Sequence, residues 1–485
     1  MGPPSIDDNG LCAFTGTTAA VQTIWVSDGH LFQPRDINPG QANLGRNFFD
    51  PQLQINTNNQ VIAKDYVQGA SQNIRLWNAN LTDSFVYLAR SGNSQPYTAL
   101  NGAPSLNARG DGVFGAINGS THELVEVSNG AVSTFAINGS APQPAMDAAG
   151  DMVVTTTNRG TGLNQVILFR NGFASQTQIA SGSDFSYLDT APGISDDGNV
   201  VVFHGTLTTA GATHLGLTAG AGIFASVHTG SAWQLIRVTG LMVEVLGSGG
   251  NNDGICDPGE TCTSAAELGY DDNNGLIKFS SYPTGSRVAV TNVDFGTAGI
   301  ADDTFVISFM GTPSHASRTN PVTKNTPLLF STNTGLWTIR VDVKNQLVAP
   351  KGLVFHPYTA IPVVQVGDQL GAGNIITALS VNMQIANAAE DELGVVRTMR
   401  RGDHRIAFQA TVNGSAQTIF EQIILIPVRT DCWIIGRSRE STWIRMGYPT
   451  LTWRRWEHSS ASEICFCRWI GSATNLDTTS ARRRV

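Results

Sequence analysis

The sequence predicts an all-β chain, a β-propeller of about seven four-stranded blades, and three observations predict it. Glycine is abundant, at 51 of 485 residues, and charged residues are sparse at 14%; that balance favours turn-rich β structure over helices. A unit with an Asp or Asn, a Gly three residues later and a strand after it returns along the chain. The units recur every roughly 40–50 residues, the length of four short strands, and no helical periodicity beyond about three turns interrupts them.

The first unit shows the grammar. Asp7-Asp8-Asn9-Gly10 suits a tight turn, because an Asx side chain bonds nearby backbone N–H groups and Gly accepts a positive φ. Ala13-Phe14-Thr15-Gly16 then alternates as a strand with one buried face should, and Ile24-Trp25-Val26 supplies a β-branched and aromatic partner before the turn residues Ser27-Asp28-Gly29. Two such strands are unstable alone and need neighbours of their own kind.

The second unit spans 50–63 with a further strand at 74–77. The third spans 104–114 and continues through 123–130; the fourth covers 144–154 and 166–172; the fifth covers 192–203 and 222–225. Two weaker units follow at 302–309 with 327–331, and at 402–410 with 418–420. Seven units fit a closed ring, in which each blade covers the edge of the next.

These units resemble the NxxGxxAF-type tandem repeats of bacterial choice-of-anchor proteins. Asn107 to Phe114 fits with Val113 for Ala, and Asp7 to Phe14 fits with Asp for Asn. The fourth unit keeps the Asp147 and Gly150 frame, the second lacks the Gly, and the last two rest on strand pattern. The resemblance covers about residues 4–426. It implies a secreted or cell-surface repeat region joined to an anchoring segment, and it brings no catalytic residues with it.

Charge and hydropathy exclude other classes. A net charge of −8 argues against nucleic acid as the main partner, since phosphate binding needs a basic surface. No apolar run of ~20 residues is present to span a membrane. The N-terminus has neither the basic nor the apolar region of a signal peptide, so the expectation is an extracellular protein whose leader is missing from this chain.

A loop-rich insertion is expected at about 240–290. Asn251, Asp253, Asp257 and Glu260 crowd oxygen donors into a Gly/Pro-rich turn, as a Ca²⁺ loop does. Cys262 stands where an EF-hand would carry its bidentate Glu, so a solvated acidic loop and a calcium loop both fit. Cys256 and Cys262 lie close enough in sequence for a small disulfide, which suits an oxidising setting. Cys12, within a strand, reads as a small buried hydrophobe.

After residue 428 the language changes. The 57 residues 429–485 hold five of the nine Trp, three of the six Cys and ten Arg. Back-translated and read two nucleotides later, the segment 439–456 allows GIDLDSDGVSDLDLAALG, an aspartate-rich calcium pattern. The expectation is therefore a propeller domain over 1–428 and an unstructured tail produced by a frameshift near Thr430.

The chemistry is thin. The nine His are scattered, with no HExxH and no nucleophile elbow. His204, after Phe203 in a strand, reads as a satisfied core histidine. Arg109-Gly110-Asp111 and Arg401-Gly402-Asp403 read as repeat turns and not as adhesion tripeptides. The sequence thus points to a monomeric, non-catalytic binding or adhesion module for a glycan, an envelope component or a protein, with its site on the rim loops. The competing expectation is an extracellular polysaccharide hydrolase or lyase working in the central channel, recognisable by paired acids or a His/Tyr cluster converging there.

Overall fold

A computed structural model describes residues 3–7, 11–18, 21–27, 48–67, 71–78, 85–139, 143–158, 160–217, 219–240, 242–244, 262–264, 276–293, 303–319, 327–329, 333–346, 352–357, 361–369, 373–381, 385–387, 403–414, 416–425 and 466–472. The turn after each innermost strand builds the architecture. In the third unit Asn107 N donates to Asp111 O (3.1 Å), Asp111 N donates back to Asn107 Oδ1 (2.9 Å), and Gly110 N donates to Asn107 O (3.1 Å). Asp147, Asp151 and Gly150 repeat the pattern, with Asp151 N at 2.7 Å from Asp147 Oδ1. So do Asn56, Gln60 and Asn59, with Gln60 N at 2.8 Å from Asn56 Oδ1.

Positive φ at the third step explains the Gly: Gly110 has φ +88° and Gly150 +91°. Asn59 takes that place in the second unit at φ 56°. Asn is the non-glycine residue that enters this region most readily, because its short amide bonds locally. The unit that lacks the glycine therefore makes the same turn.

The strands form antiparallel meanders. Phe48–Ile55, Gln60–Val67, Ser71–Asn78 and Phe85–Arg90 make the second sheet, and Ala99–Leu106, Gly112–Asn118, Thr121–Ser128 and Ala131–Ile137 the third. Ala145–Met146, Met152–Thr157, Asn164–Arg170 and Ser175–Ser181 make the fourth. The fifth, sixth and seventh sheets lie within 185–237, 276–365 and 376–472. Among the described residues six sheets have four or more strands, where the sequence expects about seven blades; the first sheet, Ser5–Ile6 with Cys12–Thr18 and Val21–Ser27, has three. Leu276–Ser281, inside the stretch read as an insertion, pairs with Thr304–Thr319 and so belongs to the sixth sheet. Within the tail, Phe466–Ser472 is a strand paired with Ala416–Leu425.

Each interface between successive sheets has its own apolar cluster. Ile62, Leu100 and Phe114 join the second sheet to the third, and Val113, Met152 and Phe169 join the third to the fourth. Ile6, Cys12 and Phe14 meet Ala407 of the last sheet, which closes the ring. Cys12 is fully buried, a small hydrophobe at that closure. Burying one large apolar side chain contributes about 1.5–3 kcal/mol, so the ring is held mainly by these inter-sheet clusters. Among the described residues no helix is long and apolar enough to cross a membrane.

Candidate functional site

The strand Thr121–Ser128 runs between Gly112–Asn118 and Ala131–Ile137, and its register puts Glu126 directly opposite Ser133. In an isolated sheet Glu126 would face water. Here the next sheet lies against that face, and the residue is only 7% exposed. The neighbouring hairpin turns through the four residues 171–174, and Asn171 and Gly172 both take positive φ (51° and 67°) there. A Cβ placed on Gly172 would sit 2.9 Å from Glu126 Oε2. Only glycine lets that turn pass the carboxylate so closely.

Between these elements lies a groove of about 700 Å³ on the face that carries the Asx turns. Arg109, Ala149 and Gly150 form one wall, Glu126, Ser128, Ser133 and Thr134 the floor, and Asn171 to Ala174 the other wall. Arg109 reaches Ala149 O and pairs with Asp111 at 3.0 Å. Phe173 is held in place by Phe135 and Phe169, at ring-centre distances of 5.7 and 5.3 Å. Burial pushes the Glu126 carboxyl above its ordinary range, and repulsion from Asp111 adds to that while Arg109 opposes it. The carboxylate has no hydrogen bond or ion pair within the described residues.

A second polar cluster lies between the fifth and sixth sheets. His204 Nδ1 is 3.2 Å from Asp189 Oδ2, and Asp189 Oδ1 accepts from Thr190 N (2.6 Å) and Gly285 N (2.9 Å). Burial works to raise the Asp189 carboxyl, but the bonds from His204, Gly285 and Thr190 outweigh it and hold the carboxyl below its ordinary range. The rings of Tyr187 and Tyr282 flank His204 at 5.5 and 4.8 Å. Burial pushes the Tyr282 hydroxyl up to about 12, and it donates to Thr239 Oγ1 at 3.0 Å. This is a His/Tyr cluster that ties two blades together, with His204 and Asp189 buried and Tyr187 and Tyr282 half-buried.

Near the axis, Arg287 spans three blades. It is 8% exposed and donates to Pro192 O (3.1 Å) and Pro144 O (2.8 Å), each just before an innermost strand. Burial lowers its guanidinium to about 10, which leaves it charged at neutral pH.

The residues expected to bind calcium, Asn251, Asp253, Asp257 and Glu260, lie outside the described residues, as does Cys256. Cys262 begins the strand Cys262–Ser264, which pairs with Met242–Glu244. Among the described residues no three His, Cys, Asp or Glu side chains converge to hold a metal. Of the two Arg-Gly-Asp tripeptides, Arg109-Gly110-Asp111 is part of the third repeat turn, with Asp111 buried.

No protein-family model matches this chain, and no curated protein matches it in sequence. Its fold is similar to that of several solved structures. TolB from Acinetobacter baumannii aligns at TM-score 0.32 and 15% identity, over 50% of this chain and 60% of that one. Regucalcin, a calcium-binding protein from Agrobacterium tumefaciens, aligns at 0.26 and 10%, over 46% and 88%. A prolyl endopeptidase aligns at 0.35 and 8%, over 84% and 54%.

Proposed function

We propose that the chain is a non-catalytic, secreted or surface-displayed binding module whose ligand sits in the groove between the third and fourth sheets. The observation that carries this reading is Glu126, a carboxylate without a partner, more than nine-tenths buried and lining an open polar groove. A carboxylate that opens onto the groove with no hydrogen-bond donor from the described residues is set up for a donor supplied from outside. The groove lies on a rigid scaffold among turns, where binding residues concentrate. The resemblance of the repeats to surface proteins supports the extracellular setting.

The test is an array of polysaccharides, envelope fragments and peptides probed with labelled wild type and with Ser133→Trp. Ser133 is exposed and lies opposite Glu126, so the indole fills the groove without entering the core. Wild type should be retained by at least one class, and the variant should lose about tenfold or more in affinity. Equal retention of both proteins would refute the groove. Release of reducing ends or unsaturated products from the retained polymer would favour the polysaccharide hydrolase or lyase instead.

A further inference from the structure

We infer that the groove is a lysine pocket: it takes a lysine side chain presented by a protein or peptide partner and pairs its ammonium with the Glu126 carboxylate. This rests on the reading of the groove as the binding site and specifies its occupant. Charge decides the sign of the ligand. Arg109 supplies the positive charge in the lining, but its Nη2 pairs with Asp111 at 3.0 Å and also donates to Ala149 O. That ion pair is balanced within itself, so the Glu126 charge is left over and the groove is net negative. At the Glu126 carboxyl the repulsion from Asp111 exceeds the attraction of Arg109, as that balance requires. The chain as a whole carries −8, which draws cations towards it and anions away.

Geometry then selects among cations. Glu126 and Ser128 stand two residues apart on one strand and Ser133 lies opposite Glu126, so the three share one face of the third sheet. An ammonium has three donors and no acceptor, and this face offers it a carboxylate and two hydroxyls. Glu126 Oε2 fills the space that a Cβ on Gly172 would take, and Oε1 lies farther from that turn. A guanidinium fork uses both oxygens of a carboxylate, whereas an ammonium binds as a point charge through one. One free carboxylate also falls short of the roughly six to eight oxygens that Ca²⁺ takes. Because Glu126 is only 7% exposed, its partner has to arrive on a slender stem. The methylenes of a lysine supply that stem and can lie along Phe173, which is half-buried and held by Phe135 and Phe169. An amine set directly on a sugar ring lacks this reach.

The experiment follows saturation transfer from the full chain to small probes by NMR, with titration for affinity. The probes are short capped peptides with a central lysine, acetyl-lysine, arginine or glutamate, a chitosan hexamer and a neutral hexasaccharide. The lysine peptide should bind, with its ε-methylene protons the most strongly saturated. Each of the other probes should bind about tenfold more weakly or not at all. Glu126→Gln, which keeps the shape and removes the charge, should weaken the lysine peptide about tenfold or more, and Ser133→Trp should abolish its binding. Unfolding curves of both variants separate lost contacts from lost structure. If another probe binds as well as the lysine peptide or better and Ser133→Trp abolishes that, the groove is the site and the lysine inference is wrong. Lysine binding that Ser133→Trp abolishes and Glu126→Gln leaves unchanged has the same meaning. If no probe binds up to about 10 mM, or binding is indifferent to Ser133→Trp, both readings fail.

Discussion

The side-chain amide of Asn56 donates to the backbone carbonyl of Asn107, the residue at the same turn position one blade further on, at 2.8 Å. Asn58 reaches Ala108 O in the same way, and Arg109 continues the chain of contacts to Ala149 O in the following blade. The turn that closes each unit thus also fastens it to the next. One Asn does both: Oδ1 of Asn56 caps its own turn while Nδ2 crosses to the neighbour.

Replacing Asn56 by Asp keeps the cap and removes the crossing bond, leaving a carboxylate oxygen facing the Asn107 carbonyl. The expected cost is about 1–3 kcal/mol, since a buried acceptor loses its donor and gains a repulsive neighbour. Denaturant unfolding of Asn56→Asp against wild type at pH 7 measures it. A midpoint unchanged within error would show that the crossing bond contributes nothing to holding the second and third blades together.

Asn59 tests the backbone alone. At φ 56° it occupies the place that glycine fills in the third and fourth units. Asn59→Gly should be neutral or slightly stabilising, whereas Asn59→Val should cost about 1–2 kcal/mol, the penalty of a branched Cβ in the left-handed region. Thermal unfolding ranks the pair. Equal melting temperatures would mean that the turn relaxes out of this conformation at no cost.

The turn frame was legible in the sequence because it depends on local chemistry: an Asx oxygen, a short loop and a residue tolerant of positive φ. The apolar strands were legible for the same reason. Glu126 was not. Strand alternation places it on the polar side of Thr121–Ser128, and only the stacking of a second sheet on that side buries it. The one available signal was an acidic residue in a middle strand of a unit whose two faces are both covered in a ring. Arg287 and Asp189 were equally hidden, because their partners lie about a hundred residues away in sequence. The acidic loop around Asp253 stands out strongly in the sequence but falls outside the described residues, so it adds nothing to the geometry of the groove.

Arg287 fastens three blades near the axis, and its replacement by Met should destabilise the fold. Two buried carbonyls, of Pro192 and Pro144, lose their donor, while the relief of a buried charge offsets part of the cost. A net loss of about 2–4 kcal/mol is expected, with Arg287→Lys intermediate because one ammonium cannot fork to both carbonyls. Denaturant midpoints of the three proteins provide the ranking, and a Met variant as stable as wild type would show that the charge is only tolerated.

Asp147 departs from the Asn56 and Asn107 pattern, and pH exposes the consequence. Its Oδ1 caps the turn at Asp151 N, but its Oδ2 is buried with no hydrogen-bond partner, where Asn would carry a donor. Burial, with Asp151 and Asp196 nearby, pushes this carboxyl up to about 7 from 3.8. The folded state therefore holds a proton that the unfolded chain releases above about pH 4. Stability from this group is present below that pH, is lost as pH rises from about 4 to 7, and stays lost above. An asparagine in its place cannot ionise and restores the repeat's own residue, so Asp147→Asn should be more stable than wild type at pH 8. The gain is at most about 4 kcal/mol, at 1.36 kcal/mol for each tenfold preference between protonation states, and should shrink towards pH 5. Unfolding both proteins at pH 5 and pH 8 decides it: a difference that is the same at both values would mean that Asp147 does not titrate in the folded ring.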